Sequence, residues 1–274
     1  MAEPEPQSSI LVQANSSAEA FLRLNEIIKK LRGPDGCSWD RAQTPKSMIP
    51  YLLEETYEVI ETLEEGNIDG LQGELGDLFF LVLLEVRMAE EAGQFQLGAV
   101  LNEICEKLIR RHPHVFHPDE NAVNPGVEEI LHNWDRIKMS EGRKSRLDGV
   151  PKNLSGLIRA QRIQEKASQV GFDWDDLAPV VDKLHEEIDE LLTANRTQGP
   201  EQIEEELGDV LFSVVNVARF VGVDAETAMR HAVAKFNSRF RAVEEIFRQE
   251  GREMEGSTLT ELDEVWDRVK GNLH

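Results

Sequence analysis

The sequence predicts an all-α protein made of two similar helical bundles in tandem. Apolar residues recur at helical spacing along the 274 residues, and no alternating strand pattern of useful length occurs. A pattern of five acids also returns 132 positions later with every gap unchanged. The acids are Glu54, Glu55, Glu58, Glu74 and Asp77, and then Glu186, Glu187, Glu190, Glu206 and Asp209. This repeat favours two domains of one fold.

Capping and breaking residues place the first helices. Residues 1–16 predict a disordered arm, and a capping box at Ser16 begins a helix that Gly33 ends. Thr44 as N-cap, followed by Pro45, begins the helix that carries the first three acids.

The helices that follow complete the first half. A helix over residues 69–92 is apolar on every side beyond Asp77, which predicts that it is buried all round. Helices over residues 97–111 and 125–140 come next. Charged, small and Pro/Gly residues after them predict a linker. The chain therefore divides into an arm, a first domain, a linker and a second domain, at residues 1–16, 17–141, 142–153 and 154–274.

The second half repeats this order. A helix over residues 154–170 opens it, and the helix with the second acidic triad is expected after Pro179. Pro200 begins the helix that carries the last two acids. Asp224 caps a long helix, and a capping box at Thr258 begins the final one.

Composition and charge exclude several classes of partner. Lys and Arg total 30 against 52 Asp and Glu, and the formal charge of -22 repels nucleic acid and anionic membranes. The longest apolar run, residues 78–84, is far too short to cross a bilayer. Cys37 and Cys105 lack metal-type spacing and the N-terminus lacks a signal-peptide pattern, so we expect reduced thiols in a cytoplasmic protein.

The fixed register of the acids favours a cation site over a solvated surface. Drift by a residue or two would not harm a solvated helix face, whereas a cation site would not tolerate it. Glu55 and Glu58 lie three positions apart and can face the neighbouring helix with Glu74 and Asp77. Four or five carboxylates would converge, and a cation must lie among them because like charges destabilise one another.

The chemistry of the acids indicates which ion they bind. All-oxygen ligation suits Mg²⁺ or Mn²⁺ better than zinc or copper. A di-iron bundle needs a His three residues after a ligand Glu, where Asp77 and Asp209 stand here. Mg²⁺ commonly shares its sites with substrate phosphates, so the cluster indicates a nucleoside polyphosphate. Residues that can bind its phosphates or stack on its base are Lys235, Arg239, Lys270 and Trp266.

Two glycines stand next to the acids at matched places, Gly76 and Gly208. Glycine inside a helix costs about 1 kcal/mol relative to alanine. Their repetition therefore predicts a close approach of another backbone beside the acids.

Several strings accompany the acids: EExxE followed by ExxD in both halves, CSWD at residues 37–40, KLIRRHPHVF at residues 107–116 and VGFDW at residues 170–174. Together they resemble the MazG family of nucleoside triphosphate pyrophosphohydrolases, over residues 17–270. The resemblance implies all-α NTP pyrophosphatase domains and Mg²⁺-dependent hydrolysis of ribo- and deoxyribonucleoside triphosphates between the α and β phosphates. It further implies a homodimer, and a role in removing aberrant nucleotides or limiting stress signalling.

The resemblance also implies roles for individual residues. The metal ligands would be Glu187, Glu190, Glu206 and Asp209, with Glu55, Glu58, Glu74 and Asp77 as counterparts. The nucleotide would be held by Lys183, Lys235, Arg239, Trp266 and Lys270.

The spacing does not assign the acid that activates the attacking water, and Glu186, Glu187 and Glu190 are the catalytic candidates. Lys183 precedes the second triad by three residues, whereas Tyr51 stands at the matching place in the first. This difference predicts that the second repeat is the main catalytic site.

Two other functions also fit the sequence. An acidic helical scaffold could bind a basic partner without catalysis, and its stability would not depend on Mg²⁺. A pyrophosphatase restricted to one deoxynucleotide would keep the fold and the metal. Stacking on Trp266 would accept any base, so the sequence does not specify one.

Overall fold

The computed structural model describes residues 16–117 and 126–272 of the chain. Every regular element in these ranges is a helix, which confirms the all-α class. The predicted arm lies outside the described residues except for Ser16, which caps the first helix through a hydrogen bond from Glu19 N (3.2 Å). None of the described helices combines the length and apolarity needed to cross a membrane.

Contacts within the chain divide it into two compact units, residues 1–124 and 125–274. The helices described in the first are α1 (Ser17–Arg32), α2 (Ser38–Ala42), α3 (Pro45–Glu64), α4 (Ile68–Glu91), α5 (Leu97–Arg111) and α6 (Pro113–Phe116). Those in the second are α7 (Val127–Ser140), α8 (Gly156–Ser168), α9 (Leu177–Thr197), α10 (Pro200–Phe220), α11 (Ala225–Gln249) and α12 (Leu259–Asn272). The division falls before α7, whereas the linker predicted at residues 142–153 follows it and stays a prediction.

Local chemistry explains where most helices begin. Thr44 and Ser47 form a reciprocal capping box at α3, with the Thr44 N–H donating to Ser47 Oγ (2.9 Å). The second triad helix begins earlier than predicted, because Asp176 caps it by accepting from Ala178 N (3.0 Å). Pro179 lies in the first turn, where a missing N–H costs nothing.

The first unit packs around α4. Ile28 of α1, Met48 of α3 and Leu84 of α4 form a buried cluster with other apolar residues of α4. The expectation that α4 is buried all round beyond Asp77 is wrong, since Phe79 and Val82 are each 45% exposed. The reason is that α1 and α3 cover α4 from one side and leave a strip of it open.

The second unit contains a helical hairpin of α9 and α10 and a second hairpin of α11 and α12. Helix α8 packs against both α10 and α11. Val243 and Phe247 of α11 pack on Val265 and Val269 of α12 to form a buried cluster. The guanidinium of Arg252 lies over the Phe247 ring at 4.7 Å from its centroid.

Replacing Phe247 by alanine should destabilise the second unit by about 3–5 kcal/mol, because the ring is 1% exposed and its removal leaves a cavity. Chemical denaturation followed by circular dichroism measures this change. Phe172→Ala is the matched control, since that ring is 83% exposed and its loss should change stability by less than about 0.5 kcal/mol. Equal effects of the two substitutions would contradict the assigned core.

Candidate metal centre

Each unit brings carboxylates of two helices together. In each cluster, three acids place one oxygen each within 4.8 Å of the others. The first cluster consists of Glu55 and Glu58 of α3 with Glu74 of α4, and the second of Glu187 of α9 with Glu206 and Asp209 of α10. The convergence that the sequence predicts is therefore present in both units.

Short helical hairpins produce this convergence. Residues 65–67 connect α3 to α4, and residues 198–199 connect α9 to α10, so that each pair packs closely along its length. The acids lie a few turns from the connection on either side. Because an α-helix repeats every 3.6 residues, acids three or four positions apart project from the same face.

The first cluster holds a buried carboxylate oxygen that has no partner. Glu55 Oε2 is fully shielded from solvent and accepts no hydrogen bond within the described part of the chain. Burial, and next the charge of Glu58, raises the pKa of Glu55. The charge of Asp77 also raises the pKa of Glu55, so Asp77, the fourth predicted ligand, lies close to the cluster. An unpaired, shielded oxygen among carboxylates fits a bound cation.

Lys183 supplies the positive charge in the second cluster. Its Nζ lies 2.8 Å from Glu187 Oε1 and 2.9 Å from Glu186 Oε1. These hydrogen bonds, that to Glu187 first, raise the pKa of Lys183. Glu187 is only 7% exposed, so the ammonium is the counter-charge of a buried carboxylate. The sequence contained this signal, because positions three and four apart on a helix are neighbours.

Glu190 lies beside the second cluster, near Glu206. Burial, and next the charge of Glu190, raises the pKa of Glu206. The four acids implied as ligands of the second repeat are therefore neighbours. Tyr51, at the place that Lys183 takes in the second repeat, instead packs edge-on against Trp39 with ring centroids 5.6 Å apart.

The close backbone approach predicted at Gly76 and Gly208 is wrong. A Cβ at either position would meet no atom within 4 Å among the described residues. The helices are open at these places rather than crowded. Gly208 lines an apolar pocket of about 490 Å³, whose walls include Leu157, Ala160 and Phe212.

The residues expected to hold the nucleotide lie mainly on the other hairpin. Lys235 and Arg239 belong to α11, and Trp266 and Lys270 to α12. Trp266 packs against Phe236 with ring centroids 5.3 Å apart, so part of its surface has a structural role. Over the described residues, no hydrogen bond or ion pair joins these four side chains to the acids, and their roles stay predictions.

Comparison with known proteins identifies relatives along most of the chain. The family model of the MazG nucleotide pyrophosphohydrolase domain matches twice, over residues 43–116 and 177–243. The nucleoside triphosphate pyrophosphohydrolase of Escherichia coli (strain K12) is 46% identical over 255 residues, which cover 90% of this chain and 96% of that protein. The nucleoside triphosphate pyrophosphohydrolase/pyrophosphatase MazG of Thermotoga maritima is 44% identical over 254 residues, 92% of this chain and 96% of that protein. Each domain match contains one acidic cluster.

Replacing Glu55 by glutamine should stabilise the protein in the presence of a chelator, by about 1 kcal/mol or about 2–4 °C in melting temperature. The substitution removes a shielded charge that has no partner, and its amide can donate to the neighbouring carboxylates. Thermal melts followed by circular dichroism test this. Glu54→Gln is the control, because Glu54 is exposed and lies outside the three converging acids. A lower melting temperature for Glu55→Gln would contradict the conclusion that the buried charge of Glu55 destabilises the first cluster.

Proposed function

This chain belongs to the MazG nucleotide pyrophosphohydrolase family, and on that premise we propose that it hydrolyses nucleoside triphosphates. Water would attack between the α and β phosphates of ribo- and deoxyribonucleotides and release the monophosphate and pyrophosphate. The observation that carries the proposal is the pair of carboxylate clusters, each with three oxygens within 4.8 Å, inside the two domain matches. Both relatives described above carry the name of this activity.

We propose that the clusters hold Mg²⁺, with Mn²⁺ as an alternative. The ligands would be Glu187, Glu190, Glu206 and Asp209 in the second repeat, and Glu55, Glu58, Glu74 and Asp77 in the first. The donors are all carboxylates, which hard cations prefer, and Glu55 Oε2 accepts no hydrogen bond from any described residue. When bound, such an ion neutralises charge that develops on the phosphates.

Acids of this chain would orient the attacking water and accept its proton. Glu187 belongs to the converging acids and Glu190 lies beside them, whereas Glu186 lies outside the cluster and is more than half exposed. Lys183 holds Glu186 at 2.9 Å and thereby fixes its orientation. Glu186 lies outside the proposed ligand set, and Lys183 contacts only its Oε1, so we propose that Glu186 Oε2 accepts a proton from water.

Cationic and aromatic side chains would bind the nucleotide. Lys183 lies at the rim of the second cluster, where its ammonium can contact phosphate oxygens. Lys235, Arg239 and Lys270 would contribute further positive charge, and Trp266 retains some exposed surface for stacking on a base. Because stacking accepts any base, we propose a broad substrate range and a role in nucleotide-pool housecleaning or stress-nucleotide control in the cytoplasm.

We also propose a homodimer, supported by an exposed apolar strip that occurs in both repeats. Leu75, Phe79 and Val82 of α4 match Leu207, Leu211 and Val214 of α10 at the repeat distance. All six are between 44% and 49% exposed. Contiguous exposed apolar side chains on a helix commonly mark protein–protein contacts. A second copy of the chain would bury these strips.

Incubation with a panel of triphosphates and Mg²⁺ should yield monophosphate and pyrophosphate, measured by ion-exchange chromatography. Glu190→Ala should lower the rate by about 100-fold or more, because it removes a proposed ligand of the metal ion that neutralises charge on the phosphates. Glu58→Ala is the matched change in the first repeat and should lower it less. A larger loss from Glu58→Ala would overturn the assignment, and the absence of product with every triphosphate would favour an acidic scaffold.

Sedimentation analysis should show a dimer for the wild-type chain. Leu211→Glu should shift the population toward monomer, because burial of a carboxylate in an apolar contact is unfavourable. Leu259→Glu serves as the control, since that residue is 74% exposed and lies outside the strips. A monomeric wild-type chain would rule out the dimer.

A further inference from the structure

We propose that Lys183 makes metal binding in the second cluster depend on the nucleotide, whereas the first cluster binds the metal ion alone. This inference rests on the proposed function, since it takes the acids as metal ligands and a triphosphate as the substrate. The two repeats share their acids but differ at one position, which is Lys183 in the second repeat and Tyr51 in the first.

In the second cluster, Lys183 already binds a carboxylate that the metal needs. Its Nζ contacts Oε1 of Glu187 at 2.8 Å, and Glu187 is one of the three converging acids. The oxygens of this cluster lie within 4.8 Å of one another, which leaves the ammonium beside any ion that they hold. A divalent cation entering without a nucleotide would either displace Lys183 or be repelled by it.

In the first cluster, no lysine or arginine of the described residues forms an ion pair with the three acids. The matching residue, Tyr51, is uncharged and packs against Trp39. Glu55 Oε2 is shielded and has no partner in the described part of the chain. A cation could bind there without displacing a described cationic side chain, and it would relieve the repulsion among Glu55, Glu58 and Glu74.

A nucleotide changes the balance in the second cluster. Its phosphates offer Lys183 a new anionic partner, and the flexible lysine stem lets the ammonium turn from Glu187 toward them. Glu187 is then available to the metal. Metal and nucleotide would therefore each increase the affinity of the other, as linkage between two sites requires.

The experiment measures Mn²⁺ binding to the whole chain by electron paramagnetic resonance, with and without a triphosphate analogue carrying a methylene group between the α and β phosphorus atoms. Glu55→Gln with Glu58→Gln isolates the second cluster, and Glu187→Gln with Glu206→Gln isolates the first. The analogue should raise the Mn²⁺ affinity of the second cluster about tenfold and that of the first cluster much less.

Two charge changes provide the matched comparison. In the background that isolates the second cluster, Lys183→Met should raise the affinity for Mn²⁺ alone and abolish most of the effect of the analogue. In the background that isolates the first, Tyr51→Lys should lower the affinity for Mn²⁺ alone about tenfold. Circular dichroism verifies that each variant is folded.

Unchanged Mn²⁺ affinity in Lys183→Met, or an equal effect of the analogue on both clusters, would overturn the inference. Product formation by the wild-type chain would still support the proposed function in that case. Absence of Mn²⁺ binding at both clusters would instead refute the metal sites on which both proposals rest.

Discussion

Repulsion between carboxylates that face one another across a helical hairpin is the constraint on which both units depend. Apolar packing must hold the helices together against it. Val180 of α9 and Val215 of α10 are buried, and Met48 of α3 lies in one buried cluster with Leu84 of α4. The two units differ in how they compensate for the repulsion between their carboxylates. One provides a lysine on the same helix as its acids, and the other leaves a shielded carboxylate oxygen without a partner among the residues that the structure describes. Such local conflict between stability and charge is typical of functional sites.

Much of the fold could be predicted from the sequence because helix ends are set by local chemistry. Pro200 and Asp224 define helix starts through backbone restriction and capping, and the structure agrees with both. Pro179 predicted too late a start for α9, because the side chain of Asp176 caps this helix before the proline. Helices α2 and α6, of five and four residues, are too short to display a 3.6-residue period.

The parts of the candidate site that depend only on residue spacing along a helix could be predicted, whereas the parts that depend on neighbouring helices could not. Spacing fixes which acids share a helix face, so the convergence of the three acids in each cluster follows from the sequence. An apolar run does not show which of its residues the neighbouring helices cover, so the exposure of Phe79 and Val82 could not be predicted. Gly76 was likewise ambiguous, because a missing Cβ accompanies both crowded and open surroundings.

The short connections between paired helices determine where the chain tolerates changes of length. One residue inserted within α10 before Glu206 would turn the rest of that helix by about 100° and carry its acids away from Glu187. An extra residue in residues 198–199 would leave both helix registers intact, since a loop can bulge outward. A residue inserted after Asp209 would likewise turn the rest of α10 and move the buried Val215. Natural variation in length should therefore concentrate in the turns between helices, while the helical interval around each cluster stays fixed.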